Sequence, residues 1–280
     1  MYISYSGRKA YLTCPSMYEH RYVKKTPVVR DPRGALFGSC IGKVFEWFYT
    51  RRLWKAPDPS RACLSCIDEA VHTVAKDESF DLSADPPVRD GLVASLQRYI
   101  PPGVDMIRSH RFLTPMSRAE VDLTVVYSDK ASGVTVKIGG RADFVHGRST
   151  EDMFILDGKA SLHRDKYIDP EQLVWYATQH YLKYHVMPSR LGFVFWSFPE
   201  DPVGWVEFGP DDIRRSLSKT VESVQRINLR QFDPRPSSAC KMCDYRQHCP
   251  VGTEWMGRRR LETGGKVEES AFDIEFVGVR

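Results

Sequence analysis

The chain has 280 residues, 42% of them hydrophobic and 12% aromatic, and reads as a globular protein long enough for one large domain or a domain with an elaboration. No run approaches the roughly 20 apolar residues of a membrane helix, and the N-terminus lacks the charged-then-apolar order of a signal peptide, so a cytoplasmic protein without a membrane contact is expected. The net charge of +4 is weak ground for nucleic acid. Basic residues do cluster at Arg21 to Lys25, at Arg51 and Arg52, and at Arg258 to Arg260, although solvated faces account for such runs equally well.

In chain order, Tyr11, Tyr18 and Tyr22 suit a short helix with an aromatic face, and 26–33, with two prolines, a loop. Leu36, Phe37, Ile41, Val44, Phe45 and Phe48 predict a helix over 34–53. Further helices are predicted over 61–76 and 88–100, the latter ended by Pro101-Pro102. The pattern then alternates. Strands are predicted over 119–127, 134–145 and 152–160. Asp169-Pro170, a capping residue followed by proline, opens a helix to about Val186. Strands at 191–198 and 204–208 and a helix at 211–228 follow, and 232–250 is irregular. The segment from Glu262 is a tail or a partner-binding strand, and no internal repeat is present.

The chemistry gathers at 138–176. Asp143 lies in the stretch Ile138 to Val145, while Asp157 and Lys159 close the apolar run from Met153. Alternate strand residues share a face, so Asp157 and Lys159 point the same way and Asp143 on a neighbouring strand can meet them. Two acidic oxygen ligands beside a cation are what divalent-metal phosphodiester hydrolysis needs. The alternative is a pair of surface acids flanking turns. Glu120 and Asp122 are further acids nearby with no assigned role, and His163, His180 and His185 are polar or substrate-facing groups more readily than ligands. Trp175 belongs in a core, although it and Tyr176 are able to stack on a base.

Seven cysteines, an odd number, argue against a disulfide framework. Cys240, Cys243 and Cys249 form a Cys-x2-Cys-x5-Cys group, and Cys14 makes a fourth thiolate. Four thiolates suit either a 4Fe–4S cluster or tetrahedral zinc. Cys63 and Cys66 have no second pair and read as ordinary thiols. The run Gly38 to Lys43 is one residue short of a phosphate loop and is followed by Val44, so that reading fails.

Taken together, the segment opening at Gly38, Gly-x-x-Asp143, Asp157-x-Lys159 and Gln172-x3-Tyr176 resemble the motifs of the PD-(D/E)xK nuclease superfamily, in its RecB-like branch, over most of the chain. The resemblance implies an α/β restriction-endonuclease-like core, a central mixed sheet flanked by helices. It implies one nuclease domain over 1–260, with a helical region at 34–118, a catalytic core at 119–208 and a tail at 261–280. Asp143 and Asp157 would bind Mg²⁺ or Mn²⁺, with the carbonyl of Lys159 as a further ligand. Lys159 would be the catalytic lysine, with Gln172 and Tyr176 ordering the site.

Where relatives carry a metal-binding His in the first helix, this chain has Gly42. Glu46, one turn on, is a candidate ligand in its place, with an exposed salt bridge as the alternative. One cysteine near the N-terminus and three near the C-terminus resemble the iron–sulfur members, among them AddB-type and CRISPR-adaptation nucleases. The resemblance thus favours a 4Fe–4S clasp on Cys14, Cys240, Cys243 and Cys249 joining the terminal segments. It favours an exonuclease on single-stranded DNA or DNA ends in repair, recombination or CRISPR spacer processing, alongside partner proteins of those pathways. The rival class is a non-catalytic DNA-binding adaptor, which Gly42 favours and the intact Asp-x-Lys disfavours.

Overall fold

A computed structural model describes residues 1–28, 31–149, 151–161, 164 and 168–262. His163 lies outside them, as does the expected tail beyond Glu262. Strand β1 (Tyr2–Ser4) leads into α1 (Tyr5–Thr13), where the Ser4 hydroxyl caps the Gly7 amide at 3.1 Å. Pro15 then breaks the aromatic helix into α2 (Pro15–Tyr18) and a π-helical turn, Glu19–Val23. Helices α3 (Arg33–Thr50), α4 (Pro59–Leu64), α5 (Ile67–Asp77) and α6 (Pro86–Ser109) follow. Strands β2 (Arg118–Asp122), β3 (Val125–Ser128), β4 (Thr135–Gly139), β5 (Arg141–His146) and β6 (Phe154–Lys159) lead to α7 (Pro170–Tyr184). Strands β7 (Arg190–Phe195) and β8 (Val203–Val206), α8 (Pro210–Asn228) and α9 (Pro250–Glu262) complete the order.

Three expectations fail for physical reasons. Pro101 and Pro102 do not end the third long helix but lie inside α6. The carbonyls they orphan belong to Gln97 and Arg98, both exposed residues. Meanwhile the buried stripe Leu96, Ile100, Val104 and Ile107 continues through the prolines and holds the helix. The helix expected over 61–76 breaks at Ser65 and Cys66, between α4 and α5. The strands expected over 119–127 and 134–145 each divide, and their halves join different sheets. Asp122 turns the first by accepting the Thr124 amide at 2.8 Å. The second divides at Gly139-Gly140, where any Cβ would run into the Tyr2 ring or the Gln179 amide.

The chain forms two compact units. The first, from 1–28, 125–139 and 214–262, has a three-stranded sheet in the order β1-β4-β3, with β1 parallel and β3 antiparallel to β4. Its most buried charge is Arg8, whose Nη1 donates to the Ser216 carbonyl and hydroxyl at 3.0 Å each. The second, from 31–124 and 140–213, has a mixed sheet in the order β2-β5-β6-β7-β8, parallel only between β6 and β7. Phe144, Phe154, Leu156, Val194 and Trp196 pack with Leu36, Phe45, Phe48, Leu96, Ile100 and Ile107 of α3 and α6. Ile155 and Asp157 alternate with Phe154 and Leu156 and so face the other way. That is the side on which α7 meets Asp157. This is the flanked mixed sheet expected; the separate small sheet was not. Among the described residues no helix is long and apolar enough to cross a membrane.

Candidate active site

The sheet itself sets the separation of the two acids. Strands β5 and β6 pair antiparallel with Phe144 opposite Leu156, and one step further along this register brings Asp143 opposite Asp157. Lys159, two residues on, shares their face. The Asp143 Oδ2 accepts the Gly158 amide at 2.8 Å. The Lys159 Nζ stands 2.5 Å from Asp157 Oδ2, and Gln172, in the first turn of α7, donates from Nε2 to Asp157 Oδ1 at 2.7 Å. The Gln172 Oε1 accepts from Lys159 at 3.3 Å, and its Nε2 also reaches the Tyr176 hydroxyl at 3.3 Å. Asp143, Asp157, Lys159, Gln172 and Tyr176 therefore converge. The Lys159 carbonyl accepts the Trp196 amide at 3.0 Å, which leaves it one lone pair.

Burial sets the electrostatics. It raises the Asp143 carboxyl well above the usual carboxylate range, the Asp157 charge raises it further, and the Gly158 amide and Lys159 pull it back. Asp157, 2% exposed, is likewise raised by burial and pulled back by Lys159. Burial and then the two aspartates also raise the Tyr176 hydroxyl. Two acids with one cation between them are short of positive charge.

A cavity of about 560 Å³ opens beside Asp143, Gly158 and Lys159, with Gly42, Glu46, Glu120 and Trp196 in its lining. Glu46 faces it, as expected of a candidate ligand, but is bound to Lys43 at 2.6 Å. Gly42 also lines it, and a Cβ built there meets nothing within 4 Å. Glu120, by the β2–β5 register opposite Asp143, holds a φ of 54°, a left-handed conformation rare for a side-chain-bearing residue within a strand. Trp196, stacked on Phe45 at 4.0 Å, had no signal in the sequence beyond its type.

Other candidates fall elsewhere. Asp122 is taken up by its turn. His180 is buried with Nδ1 2.9 Å from the Val186 carbonyl, and His185 is the exposed left-handed residue that ends α7. Trp175 is fully buried. Gly38 to Lys43 is the interior of α3 and forms no phosphate loop.

In the other unit, Cys14, Cys240, Cys243 and Cys249 line one cavity of about 30 Å³ together with His20 and Tyr245. Three of the four sulfurs accept a backbone amide: Cys14 from Arg235 at 3.3 Å, Cys240 from Ser237 at 3.5 Å and Cys249 from Gly252 at 3.4 Å. The His20 ring stacks on Tyr245 and His248, at 5.5 and 5.9 Å between centroids. Cys63 is a buried core residue, and the Cys66 thiol donates to the Ala62 carbonyl. Among the described residues, no three His, Cys, Asp or Glu side chains already stand at distances that would hold a metal ion.

No curated protein matches the chain. A solved structure described as "Crystal structure of SSO0001" is similar at 17% identity over 61% of this chain and 80% of that one, with a TM-score of 0.35. The family model of the PD-(D/E)XK nuclease superfamily matches residues 2–250. That span takes in the converging acids, the lysine, the glutamine helix and the cysteine group, and the chain belongs to the PD-(D/E)XK nuclease superfamily.

Proposed function

We propose that the chain is a metal-dependent deoxyribonuclease of the RecB-like branch, acting as an exonuclease on single-stranded DNA or DNA ends. One observation carries the reading: Gln172 ties Asp157 to Lys159 while the β5–β6 register sets Asp143 opposite them. The donor set fits Mg²⁺ or Mn²⁺, since a hard ion takes one or two carboxylates and keeps waters for its remaining positions. Asp143 and Asp157 would hold it, with the free lone pair of the Lys159 carbonyl as a further donor and Glu46 within the same cavity. When bound, the ion lowers the pKa of water and stabilises the leaving oxygen. Lys159 then has two roles: it offsets the Asp157 charge and faces the charge developing on the phosphate. Gln172 keeps the Lys159 ammonium on that path, and Tyr176 keeps Gln172 in its rotamer.

The same reading gives Cys14, Cys240, Cys243 and Cys249 a 4Fe–4S cluster. Four cysteines lining one cavity, three of them with a backbone amide on the sulfur, support it. Its role would be structural, since a crosslink spanning most of the chain contributes on the order of 5 kcal/mol in the chain-entropy model. A setting in repair, recombination or CRISPR spacer processing, with partner proteins, rests on the family resemblance alone. A second reading, a DNA-binding adaptor, is favoured by the open space at Gly42.

The test is degradation of end-labelled linear single-stranded DNA, beside circular DNA, by anaerobically purified protein with Mn²⁺, Mg²⁺ or chelator. Metal-dependent loss of the linear substrate only, abolished in Asp157→Ala and Lys159→Ala, is the expected result. Intact DNA throughout, from iron-containing protein that still binds it, would give the chain to the adaptor reading.

A further inference from the structure

The unit that carries the acids has a second cavity of similar size, in which arginine dominates the charged lining. It measures about 590 Å³ and is lined by Arg108, Arg111, Arg148 and Arg190, with Asp152 as the one carboxylate in its lining. It opens at the other end of the sheet. Phe154 and Arg190, which begin β6 and β7, line it, whereas Asp157 and Lys159 close β6. At about 3.3 Å per residue, Phe154 lies roughly 10 Å along the strand from Asp157.

The chain brings these arginines together from three separate segments. Arg108 is in the last turn of α6, and Arg111, with a φ of 56°, turns out of it. Gly147, with a φ of 154° and its amide held by the Thr114 hydroxyl at 2.9 Å, turns the chain after β5 so that Arg148 reaches the rim. The Arg190 guanidinium lies over Phe154 and Trp205, at 5.1 and 4.6 Å from the ring centroids. Among the described residues, none of the four makes an ion pair, and all are exposed. Gathering four like charges around a single carboxylate, Asp152, works against the folded state. A guanidinium fork also matches phosphate oxygens better than any neutral group.

We infer that this cavity binds phosphate of the nucleic-acid strand, at a site separate from the catalytic acids; the inference rests on the nuclease reading above. The catalytic cavity sets three carboxylates, Glu46, Glu120 and Asp143, against Lys43 and Lys159, so it offers a phosphodiester no net attraction without a metal ion and affinity for the strand has to come from elsewhere in the protein. Phosphate contacts from arginine supply it without reading sequence.

The test uses fluorescence anisotropy of a labelled single-stranded oligonucleotide, with chelator present so that no cleavage occurs, against the full chain and an Arg111→Gln/Arg148→Gln variant. The variant should bind roughly tenfold more weakly at low salt, and the slope of log affinity against log salt should flatten by about 1 to 2. With metal, kcat at saturating DNA should be unchanged while KM rises. Arg148→Glu, a single change on an exposed turn, serves if the double variant melts early. Affinity and slope equal to wild type would overturn the site. So would pyrophosphate that binds wild type and not the variant while DNA binding is equal in both, because a free phosphate ligand would then be the occupant. Wild-type protein that binds DNA through these arginines and never cleaves it would sink the nuclease reading and leave the site standing. Cleavage indifferent to the arginine changes would do the reverse.

Discussion

Replacing Asp143 by Asn should stabilise the metal-free chain and remove its response to divalent ions. Directly opposed cross-strand residues have Cβ atoms about 5 Å apart. At that distance, with an effective dielectric constant near 20, two unit negative charges repel by roughly 3 kcal/mol. Lys159, 2.5 Å from Asp157, offsets part of this. The Gly158 amide keeps an acceptor in the Asn oxygen but loses a charged one, at a cost of about 1 kcal/mol. The net gain expected is about 1 kcal/mol, or roughly 2–4 °C in melting midpoint. The sign depends on pH. Burial and Asp157 raise the Asp143 carboxyl above its unfolded value, so folding favours the protonated form. Stability is full below the unfolded value and is lost as pH climbs through the folded one. The gain should therefore appear in chelator at pH 8 and vanish near pH 3, below the unfolded value. Thermal melts in chelator and in Mg²⁺ at both pH values measure it. A lower midpoint for Asp143→Asn in chelator at pH 8 would refute the charge argument, and an equal rise with Mg²⁺ in both proteins would refute the ion site.

Gly42→His places a side chain in open space beside the acids; it should lower the Mn²⁺ concentration needed to raise the melting midpoint by about tenfold or more, and an unchanged titration would remove position 42 from the site. Gln172→Ala leaves Asp157 and Lys159 each one hydrogen bond short and should cost about 2 kcal/mol in denaturant unfolding with a fall in kcat larger than any change in KM; loss of stability without loss of kcat would make Gln172 merely structural. Glu120→Gly should stabilise by about 1 kcal/mol by relieving the left-handed backbone, and a fall in stability would show that the Glu120 side chain outweighs that strain. Cys240→Ser should lower bound iron in anaerobically purified protein and drop the melting midpoint by more than 10 °C, from the crosslink value of about 5 kcal/mol; iron retained at wild-type stoichiometry would exclude Cys240 as a ligand.

The meeting of Asp143, Asp157 and Lys159 was legible because strand alternation is a local rule that acts over a few residues, whereas Gln172 and Tyr176 were joined to them only through the family resemblance. Other features depend on partners distant in sequence. Pro101 and Pro102 look like a stop, and only the buried faces of Leu96, Ile100 and Val104 keep α6 going through them. The two divided strands look continuous because alternation persists across Leu123 and Gly140, and only the close approach of Tyr2 and Gln179 shows why the chain parts there. Strand β1 is three residues long and carries no period. The left-handed Glu120 has no composition signal, because glycine or asparagine would be the usual choice. The arginine cavity is assembled from α6, the turn after β5 and the start of β7, and no window of sequence contains it.

The architecture also bears on what Gly42 does to the candidate site. Asp143 and Asp157 come from adjacent strands, so the sheet fixes their separation whatever occupies α3. Gln172 and Lys159 are likewise anchored to α7 and β6. Position 42 belongs to a different element, which closes the cavity from the helical side. An ion that keeps waters in several of its positions exchanges a protein ligand there for another water. On the proposed reading, the absence of a side chain at position 42 would weaken ion affinity without moving the acids or the lysine. On the proposed nuclease reading the acids, the lysine and the glutamine stay joined on the sheet and α7 whatever stands at position 42.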